Sequence, residues 1–415
     1  MQSWRFLQSR RAPRIALSLT GYCRLTTGYL VRWAEIESPY LLASDLKDVD
    51  PITDLYSSDV RSTAPTASVL GLIGNTPLVR LDKLGSATEA TLLGKVEFVN
   101  PGGSAKDRIA ASMIDQAERD GLLNSESVII DGTSGNTGAG LAMIAAAKGY
   151  RTILVVADKV SPEKIRVLRA FGAEIILTSA KFELGHPRNV RSIVTRLVEE
   201  IPNAWSSAQY DNPANPAAHY RGTGPEIWEQ TEGRITHFVA NIGTGGTISG
   251  TGRYLKEVSD GRVQIIGADP IGSAYSGEVT PYFVEGAGRA MPDGDWPTTY
   301  DQDIVDRIIR IDDTSSFHSA RALARTEGLL VGISSGTVAA ATVELARELG
   351  PSDTVVSLLI DSGRGYLGKL FDDEWLIERG LPTPAEDGFA EVTDIRAEDT
   401  ELSENLAHLA PQVTE

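Results

Sequence analysis

The chain of 415 residues carries a formal net charge of −17 and no run of about 18 apolar residues. That charge argues against a surface built for nucleic acid or an anionic membrane, and no membrane-spanning helix is expected. The one cysteine, Cys23, forms no internal disulfide or cysteine metal cluster, which fits a reducing compartment, and the five histidines give no i, i+4 pair for zinc.

Residues 1–33 hold Arg5, Arg10, Arg11, Arg14, Arg24 and Arg32, with no acid before Glu35. This composition suits an organellar transit peptide, a translated upstream region or a basic arm. The expected compartment is the cytoplasm, with the mitochondrion as the alternative if the segment is a transit peptide. Residues 1–66 are expected to form a largely disordered extension, and the folded body to begin near Val69.

From there strand-like and helix-like runs alternate. Leu92 to Val99 reads as a strand that ends at Asn100-Pro101-Gly102-Gly103. Ser104 stands where an N-cap belongs, and Ile109, Met113, Ile114 and Ala117 then share one helical face. Lys106 falls in the first turn of that helix, beside the positive end of the dipole, so its pKa is expected to fall. Neutral lysine forms Schiff bases and takes protons, whereas a lysine next to Asp107 could equally be a plain surface residue.

Val128 to Ile130 is a buried strand, Leu141 to Lys148 a helix, and Thr152 to Val156 a strand. Ser161-Pro162 opens a helix with Ser as its cap. Strands follow at Glu174 to Leu177, His237 to Ala240, Val263 to Ala268 and Val355 to Leu359, with a helix from Val190 to Glu199. Short apolar strands alternating with helices predict parallel sheets covered by helices. Beyond Pro384 the tail is acidic and is expected to be disordered.

Three glycine-rich turns lie between a strand and a helix, where ligands of parallel α/β sheets bind. Thr133-Ser134-Gly135-Asn136-Thr137-Gly138 offers hydroxyls and backbone N–H groups to a carboxylate or phosphate, with Asn136 as a neutral donor. Gly243-Thr244-Gly245-Gly246-Thr247 lacks the lysine of a Walker loop and the dinucleotide spacing, so a lone phosphate suits it best. Gly332-Ile333-Ser334-Ser335-Gly336 matches a nucleophile elbow, which makes a serine hydrolase the rival reading. That reading needs an acid and then a histidine downstream, and only Asp361 and His408 are available in that order. Any of the three could also be a plain capped turn. Together, a lysine of low pKa, a phosphate cradle, a carboxylate cradle and one hydroxyl suit pyridoxal 5′-phosphate.

These stretches closely resemble the pyridoxal-phosphate enzymes of the cysteine synthase and cystathionine β-synthase family, of fold type II. Ile73 to Leu78, Asn100 to Arg108, Thr133 to Gly138, Gln209 with Asn212 to Pro216, Gly243 to Thr247 and Gly332 to Gly336 stand in the family's order. The C-terminal half resembles the catalytic core of cystathionine β-synthase more closely, through Gly267 to Pro270, Trp296 to Asp301 and Asp361 to Leu367. The resemblance implies an α/β fold of two parallel or mixed-sheet domains with the cofactor in the cleft between them. It places a large cofactor domain at 67–98 plus 215–382, a small substrate domain at 99–214 and the acidic tail at 383–415.

The resemblance also implies roles. Lys106 would hold the cofactor as a Schiff base and act as general base. Asn136 would meet the phenolic oxygen. Gly243, Thr244, Gly245, Gly246 and Thr247 would hold the phosphate, and Ser334 the ring nitrogen. Thr133, Ser134, Gly135, Thr137 and Gln209 would hold the substrate carboxylate. The implied reaction is β-replacement on serine or an O-activated serine by a thiol, in a homodimer. A homologue that binds the cofactor without turnover is the non-enzymatic rival. Two departures bear on the second substrate: Ile271 replaces a glutamate, and the 289–295 loop is long, with Arg289 where an aromatic is common.

Overall fold

A computed structural model of the chain describes residues 66–133, 135–290 and 296–381. The expectations for the basic extension, save Thr66, and for the acidic tail therefore lie outside the described residues.

Ten strands follow one another as β1 (Leu78–Arg80), β2 (Thr91–Val96), β3 (Val128–Thr133), β4 (Arg151–Ala157), β5 (Glu174–Thr178), β6 (Ala204–Trp205), β7 (His237–Asn241), β8 (Gln264–Pro270), β9 (Arg307–Ile311) and β10 (Thr354–Leu359). They form a six-stranded sheet in the order β1-β2-β10-β7-β8-β9 and a four-stranded sheet in the order β5-β4-β3-β6. Only β1 pairs antiparallel; every other pairing is parallel.

The helices that frame the sheets are α1 (Lys106–Arg119), α2 (Asn136–Lys148), α3 (Pro162–Ala170), α4 (Val190–Glu200), α5 (Ala214–Ala218), α6 (Gly224–Gln230), α7 (Gly246–Val258), α8 (Asp313–Ala322), α9 (Ile333–Ala346) and α10 (Asp373–Glu378). Helices α7 and α9 pack on the six-stranded sheet, and α2 and α4 on the four-stranded one. Strands β7, β8 and β10 are buried almost throughout, which is why they read as continuous apolar runs. Strand β9 alternates exposed arginine with isoleucine at the sheet edge, and its periodicity gave no strand signal.

Two starts differ from the sequence expectation. The strand predicted to reach Val99 stops at Val96, and Glu97–Val99 forms a 3-10 turn. Helix α1 begins at Lys106 with Ala105 as N-cap, so Ser104 sits one residue further out. Its hydroxyl still accepts the Lys106 N–H at 3.2 Å. The Ser104 backbone is held elsewhere, in an antiparallel bridge to Asp361.

A buried charge cluster locks α1 to the larger sheet. The Arg108 guanidinium donates to both Glu97 oxygens at 2.7 and 2.8 Å and to both Glu226 oxygens at 2.6 and 2.7 Å. Lys95 of β2 donates to Glu226 at 2.6 Å and to the Thr76 carbonyl at 2.6 Å. Two cations and two carboxylates cancel, so the cluster imposes no net charge on the cleft.

Replacing Glu226 by Gln leaves Lys95 and Arg108 short of one buried negative charge, which is expected to cost about 3–5 kcal/mol in chemical denaturation. Arg108 and Lys95 hold the Glu226 pKa down, from 4.5 to about 2. The stabilisation from that carboxylate is thus complete above its unfolded pKa and lost as pH falls from 4.5 towards about 2. The acid limb of the stability curve should flatten in Glu226→Gln; an unchanged limb would refute the assignment.

Candidate active site

The carboxyl ends of the parallel strands β2, β7 and β10 open on one edge of the larger sheet, and β3 belongs to the smaller one. Strand β2 leads to Lys106, β3 to the Thr133 turn, β7 to the Gly243 turn, and β10 to Asp361. Because β10 lies between β2 and β7, Asp361 arrives between the lysine and the phosphate-type turn.

Lys106 is the first residue of α1, and no described side chain hydrogen-bonds its amine. Its pKa is lowered from 10.5 chiefly by burial, while Asp361 and then Glu97 act in the opposite sense. The direction agrees with the sequence expectation. The leading cause is burial, where the sequence pointed to the helix dipole.

The Thr133 turn is tighter than the sequence suggested, because α2 starts at Asn136. The Thr133 hydroxyl accepts the N–H groups of Gly135 at 3.0 Å and Gly138 at 2.9 Å, so its oxygen shapes the turn. Gly135 takes φ +136°, open to glycine alone. The Thr137 hydroxyl donates to Gln209 Oε1 at 2.7 Å, which joins two of the expected carboxylate ligands and leaves the Gln209 amide N–H groups to donate. Ser134 lies outside the described residues. Asn136 Nδ2 donates to Asp361 Oδ2 at 2.8 Å, and the Tyr366 hydroxyl donates to the same oxygen at 2.6 Å.

The Gly243 turn opens α7, a helix of 13 residues whose first N–H groups lack intrahelical partners. The N–H groups of Thr244 and Gly245 have no acceptor among the described residues. Asn215 Nδ2 donates to the Gln209 carbonyl at 2.7 Å and to the Thr244 hydroxyl at 3.1 Å, tying the two turns together. Thr299 donates to the Thr244 carbonyl and Tyr275 to the Gly243 carbonyl, each at 2.7 Å. The Thr247 hydroxyl meets His219 Nε2 at 3.1 Å. His219 is fully buried, and burial drives its pKa down to about 3, so its ring is neutral.

Ser334 is the second residue of α9, 1% exposed, with its hydroxyl buried and unpartnered among the described residues. A nucleophile elbow presents its serine to the cleft surface, and the one downstream histidine, His408, lies outside the described residues. The hydrolase reading therefore gains nothing from the geometry. A buried lone hydroxyl, an unpartnered amine and open turn N–H groups fit a planar ring that carries a basic nitrogen, an aldehyde and a phosphate. The sequence reading gave Asn215, His219, Tyr275, Thr299 and Tyr366 no role and weighed Asp361 only as a hydrolase acid. Asp361 had one signal, an acid at the end of an apolar strand. Ile271 is 44% exposed beyond β8, and the main chain of Arg289 pairs with Ala274 and Ser273, while 291–295 lie outside the described residues.

The model of the pyridoxal-phosphate dependent enzyme family matches residues 69–361. The chain is 45% identical over 322 residues to cystathionine beta-synthase of Oryctolagus cuniculus, covering 75% of this chain and 58% of that protein. It thus spans less than two thirds of that relative. It is 44% identical over 305 residues to a probable cysteine synthase of Bacillus subtilis, covering 72% of this chain and 96% of that protein. Among solved structures, it resembles a hydrogen sulfide-producing enzyme from Fusobacterium nucleatum. The TM-score is 0.68 and the identity 36%, over 73% of this chain and 98% of that one.

A Cβ added at Gly246 would lie 2.0 Å from Asn215 Oδ1. Gly246→Ala is therefore expected to push the turn away from Asn215 and to weaken retention of pyridoxal phosphate about tenfold or more, a loss of about 1.4 kcal/mol. Equilibrium dialysis checks this, and wild-type retention would show that the Asn215 contact does not shape the cradle.

Proposed function

Because the chain belongs to the pyridoxal-phosphate-dependent enzyme family, we propose that it catalyses β-replacement on serine or an O-activated serine by a thiol. The substrates that fit best are serine and homocysteine, the cystathionine β-synthase reaction. The alternative is O-acetylserine with sulfide, as in a cysteine synthase, or a specialised β-substituted alanine synthase. The observation that carries the reading is the half-buried Lys106 amine at the start of α1, which no described side chain hydrogen-bonds, together with the Thr133 and Gly243 turns at the ends of β3 and β7.

In this reading Lys106 anchors the cofactor, the Gly243–Thr247 turn holds its phosphate and Ser334 meets its ring nitrogen. The bound group supplies an aldehyde that captures the substrate amine and a ring that accepts the electron pair left at the α carbon. Asn136 donates to the phenolic oxygen. Ser134, Gly135, Thr137 and Gln209 hold the substrate carboxylate, with Thr133 keeping the turn in shape. Lys106, whose proton affinity burial lowers, removes the α proton and later returns it. A serine hydroxyl stabilises a protonated ring nitrogen less than a carboxylate would. That tempers the electron sink and favours β-chemistry over transamination.

The proposed division is a large domain of 67–98 plus 215–382 and a small domain of 99–214. It is supported by the sheets, since the larger takes strands only from Leu78–Val96 and His237–Leu359, and the smaller only from Val128–Trp205. The same reading gives a cytoplasmic homodimer, with a mitochondrial location as the alternative; light scattering tests the dimer.

Titrating the holoenzyme with serine, O-acetylserine and O-phosphoserine should produce an absorbance change with the true donor, and adding homocysteine or sulfide should reverse it. Lys106→Ala is expected to lower kcat by about 10²–10⁴-fold or more. A variant with wild-type turnover would sink the assignment of the base.

A further inference from the structure

Asp361 lies two residues beyond β10, an inner strand of the larger sheet, and takes no part in the roles above. We propose that Asp361 is a positioning residue that aims the Asn136 amide and supplies the counter-charge for Lys106 when that amine holds the substrate's α proton. The inference rests on the reading of Lys106 as base.

The backbone fixes Asp361 from three sides. Ala105 N–H donates to the Ile360 carbonyl at 2.9 Å, Ser362 N–H to the Gly103 carbonyl at 3.2 Å, and Gly332 N–H to the Asp361 carbonyl at 2.9 Å. The residue is therefore tied both to the segment that enters α1 and to the one that enters α9. Its side chain is 2% exposed and takes two hydrogen bonds on Oδ2, from Asn136 and Tyr366. Both donors are neutral, so neither cancels the carboxylate charge. Oδ1 is buried with no partner among the described residues, against Gly332, where a Cβ would lie 2.2 Å away.

Taking the α proton turns a neutral Lys106 into a buried ammonium, which is unfavourable without a matching anion. Two acids face Lys106, Asp361 and Glu97, and Asp361 acts on it more strongly. Glu97 is already paired by Arg108 at 2.7 Å. On its own helix stand Asp107, whose pKa burial raises to about 7, and Arg108, matched by Glu97 and Glu226. His219, which also feels Lys106, is neutral. Behind Tyr366, Lys164 lies over its ring at 3.9 Å and is paired with Glu285 at 3.1 Å. Asp361, like Asp107, has hydrogen bonds but no cation of its own among the described residues, and of the two it is Asp361 that acts on Lys106. With one Nδ2 hydrogen of Asn136 on Asp361, the amide plane is set.

The test compares wild type, Asp361→Asn and Tyr366→Phe as full-length protein, measuring Lys106 acetylation against pH after cofactor removal and turnover in the holoenzyme. Loss of the anion makes the ammonium harder to form, so the labelling midpoint in Asp361→Asn should move down by about one pH unit. Tyr366→Phe, which keeps the charge, should leave it in place. In the holoenzyme Asp361→Asn should lower kcat about tenfold or more with KM for the amino acid little changed. An unmoved midpoint in Asp361→Asn, or an equal shift in Tyr366→Phe, overturns the proposal. The labelling arm is independent of turnover, so it separates this failure from failure of Lys106 as base. If Asp361→Asn does not fold, Asp361→Glu, which keeps the charge, decides: a labelling midpoint that stays with the wild type supports the proposal, and one that falls by about one pH unit overturns it.

Discussion

Arg108 sits at the third position of the helix that begins with Lys106, and its guanidinium is clamped by Glu97 and Glu226 with 0% side-chain exposure. Five donors in a fixed plane meet two carboxylates that come from different parts of the chain, the turn after β2 and helix α6. A planar fork satisfied on both edges cannot rotate or slide without breaking several bonds at once. The start of α1 is therefore fixed in position and in rotation, and the direction of Lys106 with it. Burying four charges contributes little net stability, and its worth here is geometric.

The cluster also sets the electrostatics of the cleft. Of its four charged groups, Glu97 acts on Lys106, in the sense opposite to burial. Burial then prevails, and the amine loses proton affinity. The same outcome is reached at His219, held neutral between Thr223 and Thr247. A cleft that lowers the proton affinity of its basic groups favours the forms that accept protons and hydrogen bonds. Asp361, by contrast, takes its side-chain hydrogen bonds from the neutral donors Asn136 and Tyr366.

The glycines of the turns serve the protein as much as any ligand. Gly246 lets Asn215 approach, Gly245 at φ +86° passes beneath Tyr300, and Gly336 admits the Ser316 carbonyl of α8. Each removes a side chain where two segments distant in sequence must touch. Asn215 then reaches both the Gln209 carbonyl and the Thr244 hydroxyl, so one amide links the two turns at the edges of the two sheets.

What the residues by themselves determined is local. Alternating apolar runs and helix periods located β3, β4, β5, β7, β8 and β10, and the Ser161-Pro162 start of α3, because buried strands and capped helices write their own patterns. Glycine spacing marked the three turns and, with Lys106, the kind of cofactor they suit. What the tertiary structure decided is adjacency. Strand β10 inserts between β2 and β7, a pairing across more than a hundred residues that no periodicity encodes, and this brings Asp361 to Lys106 and Asn136. Edge strand β9, with two of its five residues exposed, left no alternating signature. The cause of the lysine's low proton affinity was likewise invisible along the chain, since burial depends on everything packed around a side chain and the helix dipole only on its neighbours in sequence.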